Sequence, residues 1–147
     1  MKFITLNMNP ATSQELNTFH NVNTMRQDKQ SRIILSEIGG NSTQQLRFFA
    51  LLNLGIVQSL ASGAIRAVDA VQLFYNAENC LYVRKHLRNK KANAIMSHGV
   101  QLPDLFEYLS VNEASREFYY ELETIRSLCM SLLAPKRSTR VASLALA

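Results

Sequence analysis

The stretch of sequence that decides the fold is NEASREFYYELETIRSLCMSLL, residues 112–133. Its apolar side chains recur at intervals of four, three, four and three residues, namely Phe118, Leu122, Ile125, Cys129 and Leu132. This spacing places them in one stripe along an α-helix. Held over two heptads, the stripe predicts a long helix that packs antiparallel in a bundle. We expect Asn112 to cap its start and Ala134-Pro135 to end it.

A second long helix is predicted over residues 42–61, which are apolar on nearly all sides, as is typical of a helix in the middle of a bundle. We expect Ser42 to cap this helix, with Gln45 completing a capping-box pair, and Ser62-Gly63 to end it. Gly55 lies in its interior, where an exposed glycine costs about 1 kcal/mol. We therefore expect Gly55 to permit the close approach of a neighbour.

Four shorter helices are predicted between these two by the apolar spacing, over residues 68–75, 77–87, 90–98 and 103–109. We place the first break at Asn76, and we expect Gly99 to close the third helix and Pro103 to open the fourth. Leu81 is expected to face the core. The sequence thus predicts an all-α protein, a compact helical bundle of about five to six helices with a long C-terminal helix.

The domain organisation follows from composition. Residues 1–41 form a polar N-terminal segment with a short helix or a strand around residues 33–38, of which we favour the helix. Residues 42–133 are the helical domain, and residues 134–147 look like a mobile basic tail. The start turns polar too early for a secretory signal, and no apolar run approaches the ~20 residues of a membrane span. We expect a cytoplasmic protein with no membrane contact.

The net charge of +5 is unevenly distributed. Residues 84–91 contain no acid and five cations, namely Arg84, Lys85, Arg88, Lys90 and Lys91. Clustered cations bind the phosphates of nucleic acids by displacing condensed counterions. The alternative is a solvated helix end, because cations also suit the negative end of the helix dipole.

The last predicted helix carries acids instead. Glu113, Glu117 and Glu121 step by four along one side, and like charges at that spacing repel by a few tenths of a kcal/mol. A basic partner would relieve the repulsion, and Tyr120 beside the acids is the kind of residue that anchors an interface. We therefore take Glu113, Glu117, Tyr120 and Glu121 as partner-binding candidates. The alternative is an ordinary solvated face.

Catalytic and metal-binding patterns are weak. Ser97, His98 and Asp104 contain the residue types of a hydrolytic triad, but no strand-turn-helix nucleophile elbow surrounds Ser97. We expect His98 to sit at a helix C-terminus before Gly99. Cys80 and Cys129 lie on apolar faces without metal-ligand spacing, as buried structural thiols do. We expect no catalytic residue, no metal and no cofactor.

A series of short motifs carries a family resemblance. They are Leu52-Asn53-Leu54-Gly55-Ile56, Ser62-Gly63-Ala64-Ile65, Asp69-Ala70, Leu73-Phe74 and His98-Gly99-Val100-Gln101-Leu102-Pro103-Asp104-Leu105. Through them, residues 50–133 resemble a family of small helical bacterial proteins of unknown function. The resemblance implies a compact helical fold without enzyme activity, similar to the partners of toxins in bacterial competition loci.

These patterns predict a non-enzymatic protein-binding module, an immunity or antitoxin-like protein that acts by occluding a partner. The alternative hypothesis is a helical nucleic-acid-binding protein that uses residues 84–91 together with the cations of the tail.

Overall fold

The computed structural model of the chain describes residues 32–135. In that part the chain forms a 3₁₀ turn and five α-helices, which are the turn Leu35–Glu37, α1 Ser42–Ala61, α2 Ala67–Leu73, α3 Ala77–Tyr82, α4 Lys90–Tyr108 and α5 Val111–Leu133. Helix α3 continues without a break into a π-helical segment, Val83–Leu87. The described residues contain no strand, so the predicted all-α bundle with a long last helix is confirmed. Residues 1–31 and the predicted tail beyond Pro135 lie outside the described residues.

Helix α5 packs on α1 and α4 through the predicted stripe. Leu122, Ile125 and Cys129 are buried, and Phe118 and Leu132 pack partly buried beside them. The helix begins at Val111 because Ser110, and not Asn112, caps it, with its hydroxyl accepting a hydrogen bond from the Glu113 amide. The cap lies two residues early because Leu109 is already extended, which leaves a two-residue connection from α4.

The N-cap of α1 also lies one residue earlier than predicted. Asn41, not Ser42, is the cap: its side chain accepts from the Gln44 amide at 2.9 Å, and the Gln44 side chain accepts from the Asn41 amide at 3.0 Å. The capping box therefore pairs Asn41 with Gln44 rather than Ser42 with Gln45. The predicted end is confirmed, since Ser62 is the C-cap and Gly63 follows it with a φ of +76°.

Helix α4 corrects the sequence-based prediction most strongly. The two helices predicted over residues 90–98 and 103–109 are one helix that ends at Tyr108, with Gly99 and Pro103 inside it. The proline removes one backbone hydrogen bond, which normally ends or kinks a helix. Here tertiary packing outweighs that loss, because Ile95 and Leu102, on either side of Gly99, are both fully buried against the other helices.

Gly99, rather than Gly55, is the glycine that permits close approach. Gly55 is exposed with no atom within 4 Å of a Cβ built on it, whereas a Cβ at Gly99 would overlap the ring of Tyr75. That ring is buried, and its hydroxyl donates to the Asn53 side-chain oxygen at 2.8 Å. The Asn53 amide group in turn donates to the Phe49 carbonyl at 2.8 Å. The buried polar atoms of this contact are thus satisfied.

The segment before α1 is fastened by one buried side chain, Asn79. Its oxygen accepts from the Leu35 amide at 3.0 Å, and its nitrogen donates to the carbonyls of Ile33 at 2.7 Å and Phe74 at 2.9 Å. Leu35 is buried in the same core as the helices. The favoured short helix around residues 33–38 is a 3₁₀ turn of three residues.

Helix α3 and the π-helical segment bury one face, which carries Asn79, Val83 and Leu87. Asn76 caps α3 at the predicted break, with its side chain accepting from the Asn79 amide. Val83 and Leu87 are buried, but Leu81 is exposed, contrary to prediction. Leu81 lies two residues from the buried Asn79 and from the buried Val83, and residues two apart point to nearly opposite sides of a helix. Arg88 ends the segment in the left-handed conformation, with a φ of +47°. Within residues 32–135, every helix is too short or too polar to cross a membrane.

Candidate functional site

Helices α4 and α5 form a hairpin with cations concentrated at one end and acids at the other. The two helices pack against each other and are joined by Leu109 and Ser110 alone, so they run antiparallel. Nineteen residues of α4 span about 28 Å. One end of the hairpin carries the start of α4 and the end of α5, and the other end carries the connection.

At the connection lies an open depression of about 500 Å³, which we call the acidic depression. Its lining consists of Leu105, Leu109, Glu113, Arg116 and Glu117. The two leucines supply the apolar part, and the first two turns of α5 supply the charges. Glu113 and Glu117 are solvent-exposed, so the structure brings these two predicted candidates together around an apolar surface.

Aromatic side chains, of which all but the partly buried Phe118 are exposed, lie on this half of the hairpin. Phe106 and Phe118 meet edge to face with ring centroids 5.3 Å apart, and Phe118 meets Tyr119 at 5.8 Å. At the connection itself Tyr108 is 80% exposed. Tyr120 is 66% exposed and lies three residues after Glu117, which puts both on the outward face of α5. The predicted residues Glu113, Glu117 and Tyr120 therefore share one solvent-facing surface.

Glu121 lies apart from this surface. Its carboxylate contacts Nδ1 of His98 on α4, and only 19% of its side chain and 31% of that of His98 are exposed. His98 is therefore an interior residue of α4 that bridges to α5, not the helix-terminal histidine that we expected before Gly99. Sequence reasoning missed this pair because nothing local to either residue shows that the two helices are aligned here.

The opposite end of the hairpin carries an open groove of about 690 Å³, which we call the basic groove. It lies where the starts of α1 and α4 meet the end of α5, and its lining consists of Thr43, Leu46, Arg47, Asn89, Lys90, Lys91, Ser131, Leu132, Leu133, Ala134 and Pro135. Three of these residues are cations and none is an acid. Lys91 crosses the groove, with its ammonium group donating to the Ser131 hydroxyl.

The predicted basic run is divided by the fold. Arg84 and Lys85 lie in the last turn of the π-helical segment, where cations suit the negative end of the helix dipole. Arg88 caps that segment and donates through Nε to the Lys85 carbonyl at 3.1 Å. Lys90 and Lys91 instead begin α4, at its positive end. They share the basic groove with Arg47, a residue that the sequence did not single out.

The remaining reactive residue types do not converge. Ser97 lines a separate depression with Arg84, whereas His98 is bound to Glu121 and Asp104 lies exposed farther along α4. The helix thus holds the three members of the possible triad apart.

The two cysteines belong to the packing. Burial raises the pKa of the Cys129 thiol to about 12, and burial likewise raises the pKa of Cys80, so both thiolates are disfavoured. Residues 32–135 contain no group of three side chains arranged to hold a metal ion.

Comparison with family models, with curated proteins and with solved structures finds no match. The resemblance of residues 50–133 to small helical bacterial proteins therefore stays a prediction.

Proposed function

We propose that this protein is a non-enzymatic binding module that receives a basic and partly apolar segment of a partner protein on the acidic depression. The observation that carries this proposal is the lining of the depression, in which the half-buried Leu105 and the 37% exposed Leu109 lie together with Glu113 and Glu117. Exposed apolar surface rimmed by charge is typical of protein-interaction sites. The two acids repel each other at this four-residue spacing, and Arg116 on the same lining relieves the repulsion only in part, so a further cation would be favoured there.

The chemistry of the depression defines the partner segment. An aliphatic side chain would pack on the two leucines, and a lysine or arginine would pair with Glu113 and Glu117. Arg116 on the same lining offers a donor for an acid or a backbone carbonyl, which would fix the direction of the segment. Tyr120 lies beside the acids, and most of its ring is exposed. Burial of this ring in an interface would make it an anchor of binding.

In this role the module acts stoichiometrically, by covering a surface that its partner needs, as an immunity or antitoxin protein does. The resemblance to small helical bacterial proteins supports that kind of role. The cytoplasm is the compartment that this proposal assigns, since Cys80 and Cys129 are free thiols.

The experiment compares three forms of the full chain as bait in the lysate of its own cell. The wild type is expected to retain one protein in stoichiometric amount, and Glu113→Lys with Glu117→Lys is expected to lose it. Lys90→Glu with Lys91→Glu, which alters the other end of the hairpin, should retain it. Equal capture by the wild type and the Glu113/Glu117 variant would refute the proposed site, provided that both melt at similar temperatures.

A further inference from the structure

We propose that the basic groove binds the phosphate backbone of a nucleic acid, without reading its sequence. This inference is independent of the proposed protein-binding function, because it uses residues at the other end of the α4–α5 hairpin. Either surface can fail its test while the other passes.

The groove concentrates positive charge that no carboxylate of the described residues neutralises. Within residues 32–135, Arg47, Lys90 and Lys91 form no ion pair, whereas Arg66 pairs with Asp69 and Arg126 with Glu123. The groove lining holds no carboxylate that would compete with a bound anion. Its cations are therefore available to a negatively charged ligand.

The position of the two lysines makes this charge unfavourable in the free protein. The start of a helix carries a partial positive charge from its unpaired amide groups, and cations are destabilising there. Lys90 and Lys91 occupy the first two positions of α4, and the first turn contains no acid. The helix-dipole explanation that accounts for Arg84 and Lys85 does not account for them. An anion in the groove would relieve the repulsion and would interact favourably with the unpaired amide groups at the helix N-terminus.

The exposure of the cations favours a ligand with many charges. Arg47, Lys90 and Lys91 are all exposed, and a single phosphate at exposed cations is weakened by salt screening. A nucleic-acid backbone meets several cations at once and gains from counterion release at each.

The same lining excludes base recognition. No aromatic residue lines the groove, so no ring is available there for a base to stack on. Contacts from lysine and arginine to phosphates position a nucleic acid but carry no sequence information. We therefore expect equal affinity for oligonucleotides of different sequence.

The test measures fluorescence anisotropy of labelled single-stranded and double-stranded oligonucleotides, in two unrelated sequences, with the full chain. Neutralising three phosphates predicts an affinity loss of about 20- to 40-fold between about 50 and about 200 mM salt. Lys90→Glu with Lys91→Glu should weaken binding at least about tenfold and reduce the salt dependence. Arg84→Glu with Lys85→Glu is the matched control, because it changes the net charge equally outside the groove, and it should bind nearly as the wild type does. Arg47→Glu, on a different helix, should reproduce the loss.

Four outcomes would overturn the proposal: no binding at low salt, unchanged binding by the groove variants, equal losses in the control, or an affinity difference above about tenfold between the two sequences. Competition distinguishes other ligands. Displacement by tripolyphosphate at equal phosphate concentration would point to a small phosphorylated ligand, and displacement by polyglutamate at equal charge to an acidic protein. Either result would replace a nucleic acid as the occupant.

Discussion

The ring of Tyr75 lies directly against the backbone of Gly99, at a distance that leaves no space for a Cβ atom on α4. This contact brings the residues that follow α2 against the middle of α4. It also explains why a glycine lies in the interior of this helix, since the packing of the buried face requires a residue without a side chain there.

We expect Gly99→Ala to destabilise the protein by about 1–3 kcal/mol, because the added methyl group must displace a fully buried ring whose hydroxyl is bonded to Asn53. Gly55→Ala is the matched control, since Gly55 lies exposed in a helix, and it should stabilise by up to about 1 kcal/mol. Urea unfolding measures both. Equal effects in the two variants would show that the Tyr75 contact is not tight.

A second prediction concerns the hydrogen bonds by which Asn79 holds the segment before α1. Asn79→Ala removes the partners of the Leu35 amide and of the Ile33 and Phe74 carbonyls, so we expect a loss of about 3 kcal/mol. Hydrogen exchange at the Leu35 amide should accelerate more than exchange in α5. Asn76→Ala, which removes only the cap of α3, should cost about 1 kcal/mol. Unchanged exchange at Leu35 would contradict the role of Asn79 in holding this segment.

The contact of His98 with Glu121 predicts energetic coupling between α4 and α5. A double-mutant cycle with His98→Ala and Glu121→Ala should give a coupling energy of about 1 kcal/mol, because the pair is half-buried and charge-assisted. The more exposed pair Glu123–Arg126, within one helix, should give about 0.3–0.5 kcal/mol. If the His98 and Glu121 effects simply add, the two side chains do not interact in solution.

Substitutions at Leu122 and Tyr120, both on α5, distinguish a residue that stabilises the fold from one that is proposed to bind a partner. Leu122→Ala should cost about 2–5 kcal/mol, because Leu122 is buried in the α5 stripe. Tyr120→Ala should change stability by less than about 0.5 kcal/mol, because most of its ring is exposed. Thermal melts followed by circular dichroism compare the two. A large loss for Tyr120→Ala would make Tyr120 a core residue and remove it from the proposed interface.

The sequence predicted correctly those parts of the fold that depend only on residues close together in the chain. The stripe of Leu122, Ile125 and Cys129 follows from helical spacing, and the helix boundaries at Gly63 and Asn76 follow from backbone conformation and capping. The prediction failed at Gly99 and Pro103, which have the local chemistry of a helix end and a helix start. Their role depends on Tyr75, which is distant in sequence, and on the burial of Ile95 and Leu102 on either side of Gly99.

The candidate site divides in the same way. Periodicity alone places Glu113, Glu117 and Tyr120 on one outward face of α5. It does not show that Glu121 turns towards His98, or that Arg47 joins Lys90 and Lys91 in a groove. Those arrangements depend on how α4 is aligned with α1 and α5, and the sequence of a single helix does not contain that alignment.

The most direct test of the central claim, that a partner protein binds at the acidic depression, is the kinetics of binding to the captured partner. For Glu113→Lys with Glu117→Lys, we predict slower association and a weaker dependence on salt, because charges at an interface act largely on the encounter rate. Tyr120→Ala should mainly raise the dissociation rate, and Lys90→Glu with Lys91→Glu should leave both rates nearly unchanged. Unchanged association by the Glu113/Glu117 variant, together with loss of binding by the lysine variant, would contradict the claim.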